Sequence, residues 1–350
     1  MTRIPVRIQA ILAAAVLAAP AALLAQSFTV HKYTIGGEGG TDYLTADPAS
    51  GRVFVSRSTH VMVVEGATGK VVGDIPDTPR MHGIALAPKW NHGFTTNAGD
   101  STVTMFDLKT LAVIKKIHAG IDGLDGIMYD DGTDRIVTTN HSRPMGSATI
   151  IDPKDGTVVA TVMLTGGGPE GAVGNAKGRI FVNLEDKNAL DVIDTKTWKV
   201  IATWPIAPCD GPTGIAMDRA ANRIFSGCGK TSVVTDASTG KVVAEISNGN
   251  GVDALGWDQS QKFMYIPAGR DGNVTVVHED SPDKYTVIAT VATQPGAKTI
   301  SVDPTTHTAY LFQPEYGPPP APPAGTTPDS NPRRRPRGPM IGTWFISITH

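Results

Sequence analysis

Hydrophobic residues in this chain come in short runs rich in Val and Ile, and Gly, Asn or Asp residues separate one run from the next. Clear examples are residues 52–56, 61–64 and 179–183. Short β-branched runs bounded by turn residues are the usual signal of β-strands. The pattern therefore predicts an all-β protein made of many short strands.

A longer pattern repeats along the chain: a polar residue, usually a small residue, an apolar residue, two further strand positions and often Asp. Successive copies end 40 to 45 residues apart, which is the length of a four-stranded propeller blade. The seven copies occupy residues 42–47, 82–87, 125–130, 170–175, 213–218, 253–258 and 298–303. We therefore predict a seven-bladed β-propeller with four-stranded antiparallel blades, built as a single domain over residues 26–350.

The two ends of the chain are predicted to share the last blade. Repeats one to six each contain four predicted strands, whereas the seventh contains three, over residues 299–302, 308–312 and 343–349. A spare strand, residues 28–35, precedes the first repeat. Because an unpaired sheet edge is a site of unwanted association, we expect the N-terminal strand to pair with the C-terminal one and close blade seven.

Residues 314–341 interrupt the repeats with a loop insert in blade seven. Ten of the 26 prolines lie between Pro314 and Met340, next to the cluster Arg333-Arg-Arg-Pro-Arg337. Pro-rich composition favours extended chain over packing. The basic cluster is expected either to stay solvated or to hold an anionic partner such as lipid headgroups or nucleic acid.

Residues 1–25 differ from the rest of the chain. Arg3 and Arg7 precede an apolar run, residues 11–19, and small residues follow as far as Ala25. This is typical of a secretory signal peptide; a membrane anchor is the alternative, although the run is short and Pro20 interrupts it. We expect an exported, periplasmic protein with no transmembrane segment in the mature chain. Cleavage would change the net charge from −2 to −4, which gives no broad reason to expect a nucleic acid partner.

Cys209 and Cys228 are the two cysteines of the chain. An even count in an exported protein favours a disulfide, because that compartment permits oxidation. The two residues flank the predicted strands 215–217 and 223–226, so contact between them is sterically reasonable. Free buried thiols are the main alternative.

A candidate site lies at one mouth of the predicted channel. The first strand of each blade lies nearest the axis of a propeller, so the residues that open the seven first strands surround that mouth: Asp42, His82, Asp125, Glu170, Thr213, Asp253 and Lys298. Loops between second and third strands open on the same face and add further polar residues: Arg57, Asn140, His141, Arg143, Asn183, Glu185, Asp186, Lys187, Arg270, Asp271, Glu315 and Tyr316. Of these, Asn183, Glu185 and Arg270 join the ring as predicted ligand-binding residues. Plain solvation of a hydrated channel mouth is the alternative.

The ring also suggests metal chemistry. Carboxylates facing each other repel unless a cation, Lys298 or a proton compensates. Asp125, Glu170 and Asp253 are therefore candidate ligands for a divalent cation such as Ca²⁺ or Mn²⁺. His82 and His141 are the candidate general acid or base. The sequence contains no Gly-x-Ser-x-Gly, phosphate-loop or His-Glu-x-x-His motif.

Repeats such as residues 210–218, strand–turn units such as 192–201, and the predicted signal peptide together resemble the YncE-like family of periplasmic YVTN-repeat β-propellers. The resemblance covers essentially all of the mature chain. It implies the fold and export, while most members lack an assigned reaction and DNA binding is among the suggestions. The chain is more distantly similar to lactonase-type and streptogramin-lyase-type propellers, which implies metal or acid/base residues on the channel face. No individual residue is matched to theirs.

These observations lead to one function hypothesis and two alternatives. We expect an exported, monomeric binding or interaction protein that uses the channel-mouth face to hold a small molecule or an envelope protein. The first alternative is a metal-assisted hydrolase or lyase, lactonase-like, with its site in the channel mouth. The second is a structural scaffold.

Overall fold

The computed structural model describes residues 27–119, 122–320 and 338–350. The described chain forms seven four-stranded antiparallel sheets, which confirms the predicted seven-bladed β-propeller. The predicted signal peptide and the Arg333–Arg337 cluster lie outside the described residues. Within the described ranges, no helix has the length and apolar character needed to cross a membrane.

The first strand of the chain, β1 (Thr29–Thr34), belongs to the last blade, and blades one to three follow it in chain order. Blade one consists of β2 (Leu44–Asp47), β3 (Arg52–Ser56), β4 (Val61–Glu65) and β5 (Val71–Ile75). Blade two consists of β6 (Met81–Ala87), β7 (His92–Asn97), β8 (Thr102–Asp107) and β9 (Val113–His118), with a 3-10 turn at Pro88–Trp90. Blade three consists of β10 (Leu124–Asp130), β11 (Arg135–Asn140), β12 (Ser147–Ile151) and β13 (Val158–Met163).

Blades four to six repeat the same order, with each strand hydrogen-bonded to the next. Blade four consists of β14 (Pro169–Gly174), β15 (Arg179–Leu184), β16 (Ala189–Asp194) and β17 (Lys199–Pro205). Blade five consists of β18 (Ile215–Asp218), β19 (Arg223–Ser226), β20 (Thr231–Asp236) and β21 (Val242–Ser247). Blade six consists of β22 (Gly256–Asp258), β23 (Phe263–Ala268), β24 (Asn273–Ser281) and β25 (Lys284–Ala292).

Blade seven joins the two ends of the chain. It contains β26 (Ile300–Asp303), β27 (Thr308–Tyr316) and β28 (Met340–Thr349), and β1 adds to its outer edge in the order β1-β28-β27-β26. The pairing of β1 with β28 is antiparallel, from Thr29 opposite Thr349 to Thr34 opposite Trp344. The predicted closure is therefore confirmed, and it leaves β1 rather than β28 as the edge of the sheet.

The predicted loop insert over residues 314–341 is shorter at both ends than expected. β27 continues to Tyr316 and β28 begins at Met340, so Pro314 lies opposite Thr343 within the sheet. The indole of Trp344 donates a hydrogen bond to the Glu315 carboxylate at 2.9 Å, which secures this extension. Sequence reasoning ended the strand at the first proline, but the pairing partners beyond it continue the ladder.

Seven hydrophobic cores lie between neighbouring blades, so the core of the protein is a ring around the channel. Between blades two and three, Phe94 and Ile136 are fully buried. Between blades seven and one, Val53, Phe312 and Phe345 are buried together, which closes the ring with side chains as well as with strands. Each fully buried Phe contributes about 1.5–3 kcal/mol by its removal from water.

Acidic residues at the end of the third strands have a structural role on the face opposite the candidate site. One oxygen of Asp107 accepts hydrogen bonds from the backbone N–H groups of Lys109 and Thr110, at 2.9 and 2.7 Å. Asp194 accepts the equivalent bonds from Lys196 and Thr197. These carboxylates stabilise the turns that they open, so their presence on that face is explained by a structural role.

Candidate functional site

The inner strands hold the predicted ring residues in place. β2, β6, β10, β14, β18, β22 and β26 contact one another around the channel. Glycine after the ring position allows this approach: a Cβ on Gly126 would lie 2.9 Å from the backbone oxygen of Glu170, and one on Gly171 would lie 3.1 Å from that of Thr213. The backbone of each ring residue is thus packed against the preceding blade.

Five of the six ionisable ring residues form a continuous charged arc. Lys298 Nζ lies 2.8 Å from Asp42 Oδ1 and also contacts the Asp253 carboxylate. The other Asp42 oxygen, Oδ2, lies 2.6 Å from Nδ1 of His82. The same His82 nitrogen is 3.5 Å from Asp125 Oδ1. The five side chains come from five different blades, and acids and bases alternate along them.

His141 extends this arc from the loop after β11. Its Nε2 lies 3.2 Å from Asp125 Oδ2 and 3.3 Å from Glu170 Oε1. The backbone N–H of His141 donates to the Gly123 carbonyl at 2.7 Å, which fixes the start of the loop against the strand of the same blade. Sequence reasoning placed His141 on this face, and the structure brings its ring between two ring carboxylates.

The pKa values of Glu170 and His141 are both raised. Burial raises the pKa of Glu170 to about 7, although contact with His141 opposes this. Contact with the Glu170 carboxylate raises the pKa of His141 to about 9, against the effect of burial. Strongly perturbed groups that share a cleft are a mark of functional sites.

The remaining members of the arc differ in how well their charges are compensated. Burial favours a higher pKa for Asp42, but the hydrogen bond with His82 and the charge of Lys298 hold its pKa below the ordinary value. Burial dominates at Asp125 and Asp253 and raises the pKa of both carboxyls. Burial lowers the pKa of His82, but its carboxylate partners outweigh this and raise it overall.

Within the described residues, two groups of side chains place possible metal-ligating atoms within 4.8 Å of one another: Asp42, His82 and Asp125, and Asp125, His141 and Glu170. Asp253, predicted as a metal ligand, belongs to neither group, and its carboxylate contacts Lys298 instead. Asp125 is common to both groups, so the two groups share one carboxylate.

Tyr43 is a site residue that sequence reasoning missed. It follows Asp42, at the position held by glycine in blades two to five and by Ala254 and Thr299 in blades six and seven. Its ring packs against the core between blades six and seven and lines the narrow channel below the arc, a cavity of about 170 Å³. Burial and the surrounding acids raise the pKa of its hydroxyl well above the usual range. A large residue in place of glycine was the available signal.

A wide bowl of about 1150 Å³ opens on the same face. The ring residues Thr213, Asp253 and Lys298 lie in its lining, together with Glu185 and Arg270 from the loops. Its further charged residues are Arg143, Asp186, Asp210 and Lys230. The bowl therefore carries both signs of charge, and the predicted residues Glu185, Arg270, Thr213, Asp253 and Lys298 share it.

Known structures resemble this architecture. No protein-family model matches the chain, and no curated protein sequence matches it. The chain matches a structure titled Kuenenia stuttgartiensis hydrazine synthase with a TM-score of 0.69 and 16% identity, over 79% of this chain and 93% of that one. A mitotic checkpoint complex structure gives 0.70 and 14%, over 88% and 96%, and the RRP9 WD40 repeats give 0.73 and 9%, over 91% and 97%. The chain shares the β-propeller fold of these structures. At these identities the likeness shows the fold alone.

Three polar residues expected at the propeller's mouth are instead buried inside it. Asn183 is fully buried; its side chain donates to the Gly214 carbonyl at 2.9 Å and accepts from Ser226 at 2.9 Å. Asn140, also buried, donates to Ser147 and Thr149 at 3.0 Å. Arg57 is buried among the carbonyls of residues 36–39. Asn140 ends β11, Asn183 is the last residue but one of β15, and Arg57 directly follows β3, and all three side chains are held by partners inside the propeller.

A disulfide fixes one wall of the bowl. Cys209 and Cys228 are bonded, with their Cα atoms 5.5 Å apart. Next to them, the backbone N–H of Gly229 donates to the Asp210 carbonyl at 3.1 Å, and both residues line the bowl. The bridge therefore joins the loop before β18 to the loop after β19 at the bowl's surface.

Proposed function

We propose that this protein is an exported binding module whose channel-mouth bowl holds a small polar ligand. The observation that carries the proposal is the bowl itself, a cavity of about 1150 Å³ with a floor that includes Asp253 and Lys298 of the charged arc. Ligand sites in proteins are concave regions of roughly 300–1,000 Å³ with a few placed polar groups. The bowl has that character and slightly exceeds that size.

The shape of the channel favours binding in the bowl over passage along the axis. The cavity below the arc measures about 170 Å³, and Tyr43 lines it. A ligand larger than a few atoms would rest on this floor. The bowl lining also balances Arg143, Lys230 and Arg270 against acids, so it suits a small ligand with both donors and acceptors better than a polyanion such as nucleic acid.

Export to the periplasm and membership in the YncE-like family belong to the same proposal. The Cys209–Cys228 disulfide supports export, because such bonds persist in oxidising compartments. The repeat sequences support the family resemblance, and a monomer is expected. N-terminal sequencing of the protein from its native host is expected to begin at Gln26; a mature chain that retains residues 1–25 would contradict export by cleavage.

The binding proposal is tested by a thermal-shift screen of amino acids, sugars, dicarboxylates and nucleotides. A compound that stabilises the wild-type protein is expected to lose its effect in Arg270→Ala, which changes the bowl. It is expected to keep its effect in Arg219→Ala, because Arg219 lines a different cavity on the opposite face, next to Tyr129 and Met217. Stabilisation that depends on Arg219 and not on Arg270 would overturn the placement of the ligand in the bowl. A screen without any stabilising compound would count against the proposal.

A metal-assisted hydrolase or lyase is the second candidate. It is favoured by the His141–Glu170 pair, whose side chains lie 3.3 Å apart and whose pKa values are both raised. Glu170 lies one ring position from Thr213, which lines the bowl. The test is hydrolysis of model lactones and esters with and without Mn²⁺. Turnover that falls in His141→Gln and in Glu170→Gln would support it, and equal rates with wild type and variants would exclude this site.

A further inference from the structure

We propose that Asp125, His141 and Glu170 form a binding site for one divalent transition-metal ion, with Asp42 and His82 as a hydrogen-bonded support beside it. The inference goes beyond the ligand bowl, because none of these five side chains is among the residues that line it. It rests on the spacing of the possible ligand atoms and on which of them already have hydrogen-bond partners.

The distances from His141 to Asp125 and Glu170 fit three ligands that share one ion. Protein nitrogen and oxygen ligands lie about 2.0–2.2 Å from Zn²⁺, so two ligands separated by an angle of about 90–110° are roughly 3.0–3.4 Å apart. Nε2 of His141 is 3.2 Å from the Asp125 oxygen and 3.3 Å from the Glu170 oxygen. Both separations fall within the range that one bound ion requires.

Hydrogen bonding among Asp125, His141 and Glu170 is incomplete. Nε2 of His141 is buried and forms no hydrogen bond of normal geometry within the described residues, although it lies close to both carboxylates. Glu170 is only 7% exposed, and its carboxylate has no polar contact closer than that imidazole in the part of the chain that the structure describes. Buried polar groups are nearly always satisfied, so an imidazole nitrogen held between two carboxylates without a well-formed hydrogen bond leaves room for a further partner. A cation bound by all three side chains would satisfy them together.

The group formed by Asp42, His82 and Asp125 differs both in its spacing and in its hydrogen bonding. Nδ1 of His82 lies 2.6 Å from the Asp42 carboxylate, which is a hydrogen bond and is too short for two ligands of one ion. The other Asp42 oxygen accepts from Lys298 at 2.8 Å. Asp42 and His82 are therefore already satisfied by each other and by Lys298. His82 then lies 3.5 Å from Asp125 and can orient that carboxylate, as outer partners do in metal sites.

The donor set indicates the class of ion. One imidazole with two carboxylates suits Mn²⁺, Fe²⁺ or Zn²⁺, whereas Ca²⁺ prefers a shell of six to eight oxygens. We therefore narrow the expected cation from Ca²⁺ or Mn²⁺ to a transition-metal ion.

The test uses the mature protein stripped with a chelator and titrated calorimetrically with Mn²⁺, Zn²⁺ or Ca²⁺ alone. We expect one Mn²⁺ or Zn²⁺ per chain and weaker binding of Ca²⁺. Glu170→Gln, which keeps the shape of the side chain, is expected to weaken Mn²⁺ binding by more than about 100-fold, above the range usual for outer partners. Glu185→Gln, at the bowl, is the matched control and should bind as wild type does.

Asp42→Asn separates the two groups. It is expected to weaken Mn²⁺ binding by no more than about 10–100-fold, as an outer partner would. Loss of binding in Asp42→Asn with unchanged binding in Glu170→Gln would overturn the assignment. A wild-type protein that binds none of the ions would overturn it too, and the thermal-shift screen for organic ligands would still test the bowl independently.

One measurement needs no variant and so does not depend on variant folding. In NMR spectra of the wild-type protein, stoichiometric Mn²⁺ is expected to broaden the ring signals of His141 before those of His278, an exposed histidine on the far face that pairs with Asp280. Equal broadening of both histidines would indicate adventitious surface binding and would refute the site.

Discussion

Replacing Glu170 with Gln in the metal-free protein removes the carboxylate that favours the protonated form of His141 most strongly. Glu170 Oε1 lies 3.3 Å from His141 Nε2, and this contact is the largest cause of the raised His141 pKa of about 9. Gln keeps the volume of the side chain and cannot ionise. Asp125, 3.2 Å from the same nitrogen, remains as a weaker source of stabilisation.

The size of the effect follows from the ordinary His pKa of 6.5. A rise to about 9 corresponds to about 3 kcal/mol of preference for the charged ring, at 1.36 kcal/mol per pKa unit. Because His141 is 36% exposed, solvent screening reduces this, and we expect a real contribution of about 1–2 kcal/mol. The His141 pKa in Glu170→Gln should therefore fall by roughly 1 to 1.5 toward 6.5.

The assay is an NMR titration of the histidine ring signals in the presence of a chelator. The wild-type His141 resonance is expected to titrate well above that of an ordinary histidine, and the Glu170→Gln resonance closer to it. Glu185→Gln serves as a control for the loss of one mouth carboxylate. An unchanged His141 pKa in Glu170→Gln would refute the argument that this contact controls the ring.

The same pair sets the sign of a stability change with pH. The raised His141 pKa contributes stability that is full below pH 6.5 and is lost as the pH rises through about 9. Glu170 acts in the same direction, because burial favours its neutral form and the folded protein loses that advantage between about pH 4.5 and 7. Wild-type protein should therefore lose more stability between pH 5 and 9 than Glu170→Gln, as measured by chemical denaturation; a larger loss in the variant would contradict both shifts.

Three further predictions concern the scaffold. Cys228→Ser removes a disulfide that spans 19 residues and should cost about 3 kcal/mol in urea denaturation, a difference that disappears when both proteins are reduced. Asn183→Leu leaves the carbonyls of Thr213 and Gly214 without their side-chain donor and should cost about 1–3 kcal/mol, whereas a substitution at the partly exposed Asn250 should be nearly neutral. Deletion of residues 27–35 turns β28 into an open edge, so light scattering should show self-association; a stable monomer would contradict the role of the closure.

The blade number and the closure could be predicted because they depend on local pattern and on counting. Each repeat carries its own strands and turns, and a strand missing from the last repeat has one spare strand to pair with. The cysteine pair also follows from its place beside two adjacent strands. None of these inferences needed the orientation of an individual side chain.

The position of single side chains at the mouth was harder to predict. Asn140 is the last residue of its second strand and Asn183 the last but one, and one step along a pleated strand decides whether a side chain faces solvent or the interior. Sequence reasoning assigned these residues to loops and so to the surface. Arg57 was also assigned to the surface and is buried, because its guanidinium donates to carbonyls of residues 36–39, about 20 positions earlier in the chain. Pairing of His141 with two carboxylates likewise depends on the path of a loop, which the repeat pattern does not contain.

Departures from the repeat, rather than the repeat itself, mark the site. After the ring position, Gly83, Gly126, Gly171 and Gly214 share one packing role, and Tyr43 stands in their place in blade one. His141 is also outside the repeat pattern, since it comes from a loop and contacts the carboxylates of Asp125 and Glu170 on the first strands. A residue that a repeat requires for packing leaves little freedom for chemistry, whereas a residue that replaces it is free to vary with the ligand. Tyr43 and His141 are therefore two residues of the site that the packing requirement of the repeat does not explain.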